Sequence, residues 1–231
     1  MIDAESRSTT PLLIAIDGLG AVGKSTVGQI VARRLGCRFV DTGEMYRALT
    51  WLALHRGIDT GDELSLSKLA SEARVEIETS GSGVHHSVSI DGFDVTAGIH
   101  SQEVEAEVSS VSRVAGVRKC LAAQQRTIAE TGRLVMAGRD IGTVVLPQAH
   151  LKVVLVASVE ERARRRHAEK SGYRKVAYEE TLAELKRRDA LDCTRGLSPT
   201  VPARDARIVD TAGLTPQEVA DRILALAKEA S

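Results

Sequence analysis

The segment LLIAIDGLGAVGKST, residues 12–26, decides the fold of this chain. Its apolar beginning is typical of a buried strand that ends at Asp17, and a glycine-rich turn then leads to Lys24, where we expect a helix to begin. The turn fits GxxxxGK[ST], the P-loop pattern, from Gly18 to Ser25. The alternative is a strand-to-helix turn whose glycines serve only geometry, but the flanking strand and helix patterns favour a phosphate site.

The P-loop pattern predicts a site for the phosphates of ATP and for Mg²⁺. Glycines let backbone N–H groups converge on phosphate oxygens, and the helix N-terminus adds the positive end of its dipole. The ammonium group of Lys24 would reach the outer phosphates, and the hydroxyl of Ser25 would complete a Mg²⁺ shell made otherwise of phosphate and water. The residues predicted to hold ATP are Gly18, Leu19, Gly20, Ala21, Val22, Gly23, Lys24, Ser25 and Thr26.

The composition limits the class of protein. A chain of 231 residues with 43% hydrophobic content can bury a large core. Lys and Arg total 31 and Asp and Glu total 31, so the zero net charge gives no general attraction to nucleic acid or membranes. The cysteines show no CxxC spacing, and the apolar run at Leu12–Ile16 is too short for a membrane span. We expect a cytoplasmic monomer whose partners are small-molecule nucleotides, with neither nucleic acid nor membrane among them.

Strand and helix patterns alternate along most of the chain. Apolar residues recur at helical spacing after the P-loop, and Arg38–Thr42 has the pattern of a short buried strand. Further strands are expected at Leu134–Met136, Lys152–Ala157 and Arg207–Asp210. Because strand-helix-strand order implies right-handed crossovers, the pattern predicts an α/β fold with a five-stranded parallel sheet flanked by helices.

The pattern changes between residues 57 and 100. A polar helical stretch there precedes alternating apolar residues with turn signals at 81–83 and 91–92. These features predict a small antiparallel sheet, inserted in the core as a subdomain.

Helical spacing returns between residues 101 and 131. Ser109 and Arg118 are nine positions apart, which would place them on opposite faces of one straight helix. Two helices that meet near Gly116 could instead aim both side chains at one ligand.

Polar side chains stand at the carboxyl ends of the predicted parallel strands, where ligands bind in α/β folds. Arg47 and Arg139 could each reach a second phosphate that faces the γ-phosphate of ATP. Surface charge is the alternative interpretation of this pair. The segments at strand ends are Asp41-Thr42 with Tyr46-Arg47, Arg139-Asp140, and Asp210.

Two helical stripes of arginine occur between residues 159 and 195. Planar guanidinium groups suit phosphate binding, so a lid that carries them would bring positive charge to a transferring phosphoryl group and expel water on closure. The alternative is a solvated helix with Glu–Arg pairs, because glutamates precede both stripes. One stripe holds Arg162, Arg165 and Arg166, and the other holds Arg188, Asp192 and Arg195.

With these residues in view, the chain resembles the bacterial cytidylate kinases across essentially its full length. A single P-loop says little about the acceptor, whereas five motifs in order are specific. The resemblance implies a three-layer fold like that of the P-loop nucleoside monophosphate kinases, and transfer of a phosphoryl group from MgATP to CMP or dCMP. The motifs are the P-loop at Gly18–Thr26, DTGEMYR at Asp41–Arg47, SQEV at Ser101–Val104, GRDIGTVVLP at Gly138–Pro147, and the lid segments ERARRR and KRRDALDCTR.

The resemblance also implies a role for each matching residue. The catalytic residues would be Lys24, Arg139, Arg162 and Arg166. The acceptor-binding residues would be Arg47, Arg139 and Arg195 with Thr42 and Tyr46 for the phosphate, Ser109, Arg118 and Asp140 for cytosine, and Arg188 and Asp192 for the sugar. The implied domains are a core at 1–57, 116–159 and 196–231, an inserted nucleoside monophosphate-binding subdomain at 58–115, and a helical lid region at 160–195.

The chain departs from the family pattern in three places. Ala137 stands where family members usually carry a carboxylate, two residues before the arginine of GRD, so Asp140 or Asp41 would have to orient the Mg²⁺-bound water. His100 replaces a usual arginine. In the P-loop, Val22 is expected to add bulk beside the phosphates.

Two other functions stay open as alternatives. One is a P-loop kinase of another small acceptor. The other is a nucleotide-dependent switch, because Asp210–Gly213 matches the DxxG pattern. The chain contains no NKxD guanine-binding motif, so we interpret DxxG as a loop near the nucleotide base.

Overall fold

The computed structural model describes residues 11–79, 86–130, 132–171, 176–193 and 201–229. A 3₁₀ turn at Gly98–His100 and a π-helical turn at Ile141–Val145 supplement the regular elements. In chain order these elements are β1 (Leu12–Asp17), α1 (Lys24–Leu35), β2 (Arg38–Asp41), α2 (Thr42–His55), α3 (Glu63–Glu72), β3 (Val75–Thr79), β4 (His86–Ile90), β5 (Phe93–Asp94), α4 (Gln102–Val111), α5 (Ala115–Ala129), β6 (Arg133–Gly138), β7 (Leu151–Val156), α6 (Val159–Ser171), α7 (Tyr178–Cys193), β8 (Arg207–Asp210) and α8 (Pro216–Glu229).

Five strands form the parallel sheet that the sequence predicts, and their order is β2-β6-β1-β7-β8. β1 is the central strand, and Ile14 lies opposite Val135 of β6 and Leu151 of β7. β1, β6 and β7 are mostly buried, which explains their nearly continuous apolar sequences. Since all five strands run in the same direction, their carboxyl ends meet at one edge, where the P-loop leaves β1.

Helices cover both faces of this sheet and form its core. On one face α1 and α8 pack together and bury Val31 and Ile223, while on the other α2 and α5 bury Met45 and Leu121 with Met136 of β6. Each such fully buried side chain contributes about 2 kcal/mol to stability. No helix in the described ranges has both the length and the apolar character needed to cross a bilayer.

A second, antiparallel sheet of order β3-β4-β5 lies between α3 and α4 in the chain. Ile77 of β3 pairs with Val88 of β4. The turn between β4 and β5 has positive φ at both central residues, 51° for Asp91 and 81° for Gly92, as a two-residue hairpin turn requires. The other predicted turn, at residues 81–83, lies outside the described residues.

Two helices meet near Gly116, as predicted, but the break between α4 and α5 falls at residues 112–114 and not at Gly116 itself. Gly116 belongs to the first turn of α5, where a Cβ atom would lie 2.2 Å from the hydroxyl oxygen of Ser67 in α3. The glycine therefore permits close packing of α5 on α3. A glycine in a helical pattern signals either a break or a close approach, and the sequence does not separate the two.

Candidate active site

The P-loop wraps around the N-terminus of α1. Gly23, with φ of 96°, is the N-cap residue, and it has no side chain to occupy the first N–H groups of the helix. Gly18 has a φ of 150°, and a Cβ atom there would lie 2.6 Å from the carbonyl oxygen of Leu155. Glycine is thus needed where the loop passes β7, and the geometry presents backbone N–H groups to an anion.

Two neighbouring residues of the loop, Ala21 and Val22, differ in burial and in backbone conformation. Val22 is buried in the apolar cluster that includes Val27 and Ile14, and the expectation that it adds bulk beside the phosphates stays a prediction. Ala21 has a φ of 59°, in the left-handed region that favours glycine. The unusual sequence of the loop therefore places a residue with a Cβ atom where the backbone favours glycine.

The side chain of Lys24 binds the backbone of its own loop. Its Nζ donates a hydrogen bond to the carbonyl oxygen of Leu19 at 2.8 Å. Burial and the neighbouring charge of Arg139 lower the pKa of Lys24 well below its ordinary value, although Asp41 and Asp17 oppose this shift. Two cations held close together with one of them buried favour the arrival of an anion, as expected for a phosphate site.

Two carboxylates near the loop are engaged by the protein itself. Asp17 accepts hydrogen bonds from the backbone N–H groups of Ile141 and Gly142, both at 2.8 Å. Burial nevertheless raises the pKa of Asp17 to about 6. Asp140 accepts a hydrogen bond from the guanidinium of Arg118 at 2.6 Å. None of the hydrogen bonds described for Asp17 or Asp140 involves Ser25 of the P-loop.

Asp41 is the carboxylate that faces the P-loop serine. Its Oδ2 accepts a hydrogen bond from Oγ of Ser25, and its Oδ1 accepts one from the N–H of Gly43 at 2.9 Å, which caps α2. Asp41 lies opposite Ala137 in the pairing of β2 with β6. Of the two carboxylates that the sequence left open, Asp41 is therefore the one beside Ser25.

A cleft next to these residues brings together most of the side chains predicted to bind the acceptor. Ser109 does not line the cleft, whereas Val108 and Ser112 do. Ser112 was missed because the family resemblance assigned this role to Ser109. Arg195 lies outside the described residues. The predicted residues that line the cleft are Thr42, Tyr46, Arg47, Arg118, Arg139, Asp140, Arg188 and Asp192.

One end of the cleft is built around Arg118, which forms a buried ion pair with Asp140. Its Nη1 donates to the carbonyl oxygen of Ser112 at 3.2 Å, and its guanidinium carbon lies 5.6 Å from the centre of the Tyr46 ring. The Nε of Arg118 is buried without a hydrogen-bond partner among the described residues. The Nε–H group of Arg118 can donate to a ligand, and the carboxylate of Asp140 beside it can accept. A ligand edge with an acceptor next to a donor, such as the edge of a nucleobase, matches this pair.

The other end of the cleft is rich in guanidinium groups. Nε of Arg139 donates to Asp192 at 2.8 Å, and Asp192 is almost wholly buried. Burial and the charges of Arg139 and Arg47 lower the pKa of Arg188 to about 10, although Asp192 opposes them. A bound anion offsets the repulsion that Arg188 experiences from Arg139 and Arg47, so this end of the cleft favours a phosphate group.

The arginines of α6 tie that helix to the P-loop and to the end of β8. Arg162 binds the carboxylate of Asp189 through both Nη atoms, at 2.6 and 3.1 Å, and donates to the carbonyl oxygen of Gly20 at 3.2 Å. Arg165 donates to the hydroxyl and carbonyl oxygens of Thr211 at 3.0 and 2.8 Å. Arg162 therefore lies at the P-loop, next to the predicted ATP site.

Sequence reasoning missed two acidic partners in this region. Glu105 of α4 forms ion pairs with Arg47 and Arg166, and Glu44 of α2 binds Nε2 of His86 with both carboxylate oxygens at 3.0 Å. Burial raises the pKa of Glu44 to about 7, and the charge of Asp41 adds to this shift. These partners lie 42 to 61 residues apart in the chain, and no spacing rule connects them.

Comparison with known proteins adds an independent observation. A family model described as cytidylate kinase matches residues 14–229. The cytidylate kinase of Bacillus licheniformis is 49% identical over 215 residues, which cover 92% of this chain and 94% of that protein. The cytidylate kinase of Bacillus subtilis is 45% identical over 222 residues, which cover 95% of this chain and 98% of that protein.

Solved structures with a similar fold have little sequence in common with this chain. A shikimate kinase from Bacteroides thetaiotaomicron matches with a TM-score of 0.50 at 14% identity, over 94% of this chain and 98% of its own. An uncharacterized protein from Eubacterium ventriosum matches with a TM-score of 0.52 at 11% identity, over 95% of this chain and 99% of its own. At such low identities these likenesses show the fold alone.

Proposed function

The chain belongs to the cytidylate kinase family, and we propose that it transfers the γ-phosphoryl group of ATP to CMP and dCMP, giving CDP and dCDP. The observation that carries the proposal is one cleft, next to the P-loop, with a buried Arg118–Asp140 pair at one end and several guanidinium groups at the other. A nucleoside monophosphate has a base to fill the first end and a phosphate to fill the second.

We propose that the P-loop, Gly18–Thr26, holds the phosphates of ATP. Its glycine N-cap and the amides of α1 would receive the phosphate oxygens. Lys24, released from the carbonyl of Leu19, would bind the outer phosphates. In this transfer an oxygen of the acceptor phosphate attacks the γ-phosphorus, the bond to the β–γ bridging oxygen breaks, and ADP leaves. No covalent enzyme intermediate is needed, since catalysis of phosphoryl transfer depends mainly on position and charge.

We propose that the guanidinium end of the cleft binds the acceptor phosphate. Arg47 and Arg139 would hold it, together with Arg195 as the family resemblance implies. Thr42 and Tyr46 would line this pocket, since both face the cleft. The acceptor phosphate would then lie between these arginines and the donor phosphate on the P-loop.

At the other end, Arg118 and Asp140 would bind cytosine. The carboxylate can accept from the exocyclic amine, while the guanidinium donates to the ring nitrogen and carbonyl oxygen. Ser112 lines the cleft where Ser109 was predicted, so we propose that Ser112 takes part on this side. Arg188 and Asp192 would contact the sugar.

The residues around Ser25 fit Mg²⁺, because they offer a hydroxyl and a carboxylate oxygen in direct contact, and Mg²⁺ prefers oxygen ligands. We propose that Ser25 binds the ion and that Asp41 orients its water, in place of a carboxylate at Ala137. Mg²⁺, when bound, neutralises charge on the phosphates. The residues of this chain would hold the donor and acceptor phosphates in line and exclude water from the site.

We propose that residues 160–195 act as a lid that brings Arg162 and Arg166 to the transferring phosphoryl group, and that residues 58–115 form the acceptor-binding subdomain. Arg162 supports this idea because it already contacts the carbonyl of Gly20 in the P-loop. We further propose that the enzyme acts in the cytoplasm as a monomer.

An acceptor screen tests the proposed function. The purified protein is incubated with MgATP and CMP, dCMP, UMP, AMP or shikimate, and ADP formation is followed. We expect CMP and dCMP to be the best acceptors and Lys24→Ala to lose most of the turnover. Equal or better use of a non-cytidine acceptor would overturn the specificity for cytidine nucleotides. Slow ATP hydrolysis with no acceptor phosphorylated would indicate a switch module.

A further inference from the structure

Glu105 was not among the predicted site residues, yet it contacts two of them. Its Oε2 lies 2.9 Å from Nη2 of Arg47, and its Oε1 lies 2.5 Å from Nη2 of Arg166. Burial alone would raise the pKa of Glu105, but the charges of Arg47 and Arg166 outweigh it and lower the pKa to about 2. The side chain is therefore a permanent anion near neutral pH.

The two arginines come from different parts of the fold. Arg47 lies on α2, next to the acceptor cleft, and Arg166 lies on α6, in the proposed lid region. Glu105 itself lies on α4. One carboxylate thus joins three elements, and each of its oxygens serves a different guanidinium group.

A carboxylate held by two guanidinium groups uses the donors that a phosphate group would use. Arginine binds both anions in the same way, through N–H groups arranged as a fork. On Arg47, Nη1 also donates to the carbonyl oxygen of Ile99 at 3.2 Å, while Nη2 is taken by Glu105. A phosphate that approaches Arg47 therefore meets a guanidinium group that is already engaged.

We propose that Glu105 is an internal substitute for phosphate, which holds Arg47 and Arg166 together beside the cleft when no nucleotide is bound and competes with the acceptor phosphate for them. This inference rests on the proposed function, because it takes both arginines as phosphate ligands. Binding of the acceptor phosphate then weakens the contact between α4 and α6 and frees Arg166 to move with its helix toward the transferring group.

If Glu105 competes with phosphate, removing its negative charge should make the protein bind phosphate more tightly. Like charges held close together repel, so removing the carboxylate favours a dianion beside Arg47. A residue that merely oriented Arg47 for the phosphate would give the opposite result, since its loss would weaken phosphate binding. The sign of the change therefore separates competition from positioning.

The experiment compares wild-type protein with Glu105→Gln, which keeps the size of the side chain, and with Glu103→Gln as a matched control. Glu103 is exposed on the same helix and has no ion pair among the described residues. Inorganic phosphate is titrated calorimetrically without nucleotide. We expect Glu105→Gln to bind phosphate about fivefold more tightly and Glu103→Gln to match wild type. In the kinase assay, KM for CMP should fall by a similar factor while KM for ATP stays the same.

Hydrogen exchange of the α6 amides gives a readout that requires no acceptor. Without ligand, α6 should exchange faster in Glu105→Gln than in wild type, because its contact with α4 is lost. Arg166→Gln breaks the same contact from the other side and should also speed exchange, but it should not bind phosphate more tightly. Unchanged or weaker phosphate binding in Glu105→Gln, or unchanged exchange in both variants, would overturn the proposal.

These outcomes are separate from the acceptor screen. If CMP is not phosphorylated but Glu105→Gln still gains phosphate affinity, the competition stands and the proposed function falls. If CMP is the preferred acceptor and phosphate affinity does not rise, the proposed function stands and the role of Glu105 falls.

Discussion

Asp41 and Ala137 stand side by side at the carboxyl ends of β2 and β6, and Asp41 accepts a hydrogen bond from Ser25 of the P-loop. The strand next to Ala137 thus supplies a carboxylate in contact with the P-loop serine. Asp17 is engaged by two backbone N–H groups and Asp140 by an arginine. Among these three carboxylates, Asp41 is the one suited to orient water on Mg²⁺.

Asp41→Asn is expected to raise the Mg²⁺ concentration needed for tight ATP binding by about tenfold, since residues that orient metal ligands contribute on this scale. Asparagine can still accept from the N–H of Gly43, so the cap of α2 is kept. Calorimetric titration of ATP with and without Mg²⁺ separates the metal from the nucleotide. Asp59→Asn, at an exposed residue that accepts from Gly61, is the control. An unchanged Mg²⁺ requirement in Asp41→Asn would limit Asp41 to capping the helix.

Asp140→Asn should reduce discrimination between cytosine and uracil. Asp140 is buried with Arg118, and the amide that replaces it both donates and accepts hydrogen bonds, so the site no longer demands a donor from the base. We expect the ratio of kcat/KM for CMP to that for UMP to fall at least about tenfold. Because both acceptors are measured on the same variant, any loss of stability cancels in the ratio. A ratio equal to that of wild type would remove Asp140 from base recognition.

The sequence predicts those features that depend on short-range spacing. The P-loop pattern fixes a strand, a turn and a helix within fifteen residues, and apolar runs mark the strands of the parallel sheet. Since ligands bind at the carboxyl ends of such strands, Arg47, Arg139 and Asp140 could be placed in one cleft before their distances were known.

Contacts between distant segments could not be predicted in this way. Glu105 and Arg166 are 61 residues apart, and their ion pair depends on how α4 and α6 pack, which no period in the sequence encodes. The resemblance pointed to Ser109 within α4, whereas Ser112, the residue that follows α4, lines the cleft. Burial of Val22 likewise follows from the course of the loop and not from its residue type.

Glu44 gives the fold a pH dependence whose sign can be worked out. Burial, with the charge of Asp41, raises its pKa from 4.5 to about 7, while His86 and Arg47 act in the opposite direction. Between these values the folded protein holds a proton that the unfolded chain has released, so the contribution of Glu44 to stability is lost as pH rises through the folded pKa.

Glu44→Gln cannot ionise, so its free energy of unfolding relative to wild type should increase from about pH 5 to about pH 8. Urea unfolding of both proteins across this range measures the difference. Glu72→Gln, at an exposed residue of α3, should show no such trend. A difference between Glu44→Gln and wild type that stays constant with pH would mean that Glu44 is ionised throughout the range in the folded protein.

Ala21 carries a positive φ of 59° inside the P-loop, a conformation that costs a residue with a Cβ atom about 1–2 kcal/mol and costs glycine little. Ala21→Gly relieves this strain but gives the unfolded chain more freedom, which offsets about 0.4–1 kcal/mol of the gain. The free energy of unfolding should therefore rise by about 0.5–1 kcal/mol. Ala106→Gly, at an exposed site within α4, is the matched control and should lower stability by about 1 kcal/mol. Urea unfolding measures both, and a loss of stability in Ala21→Gly equal to that in Ala106→Gly would contradict the strain at Ala21.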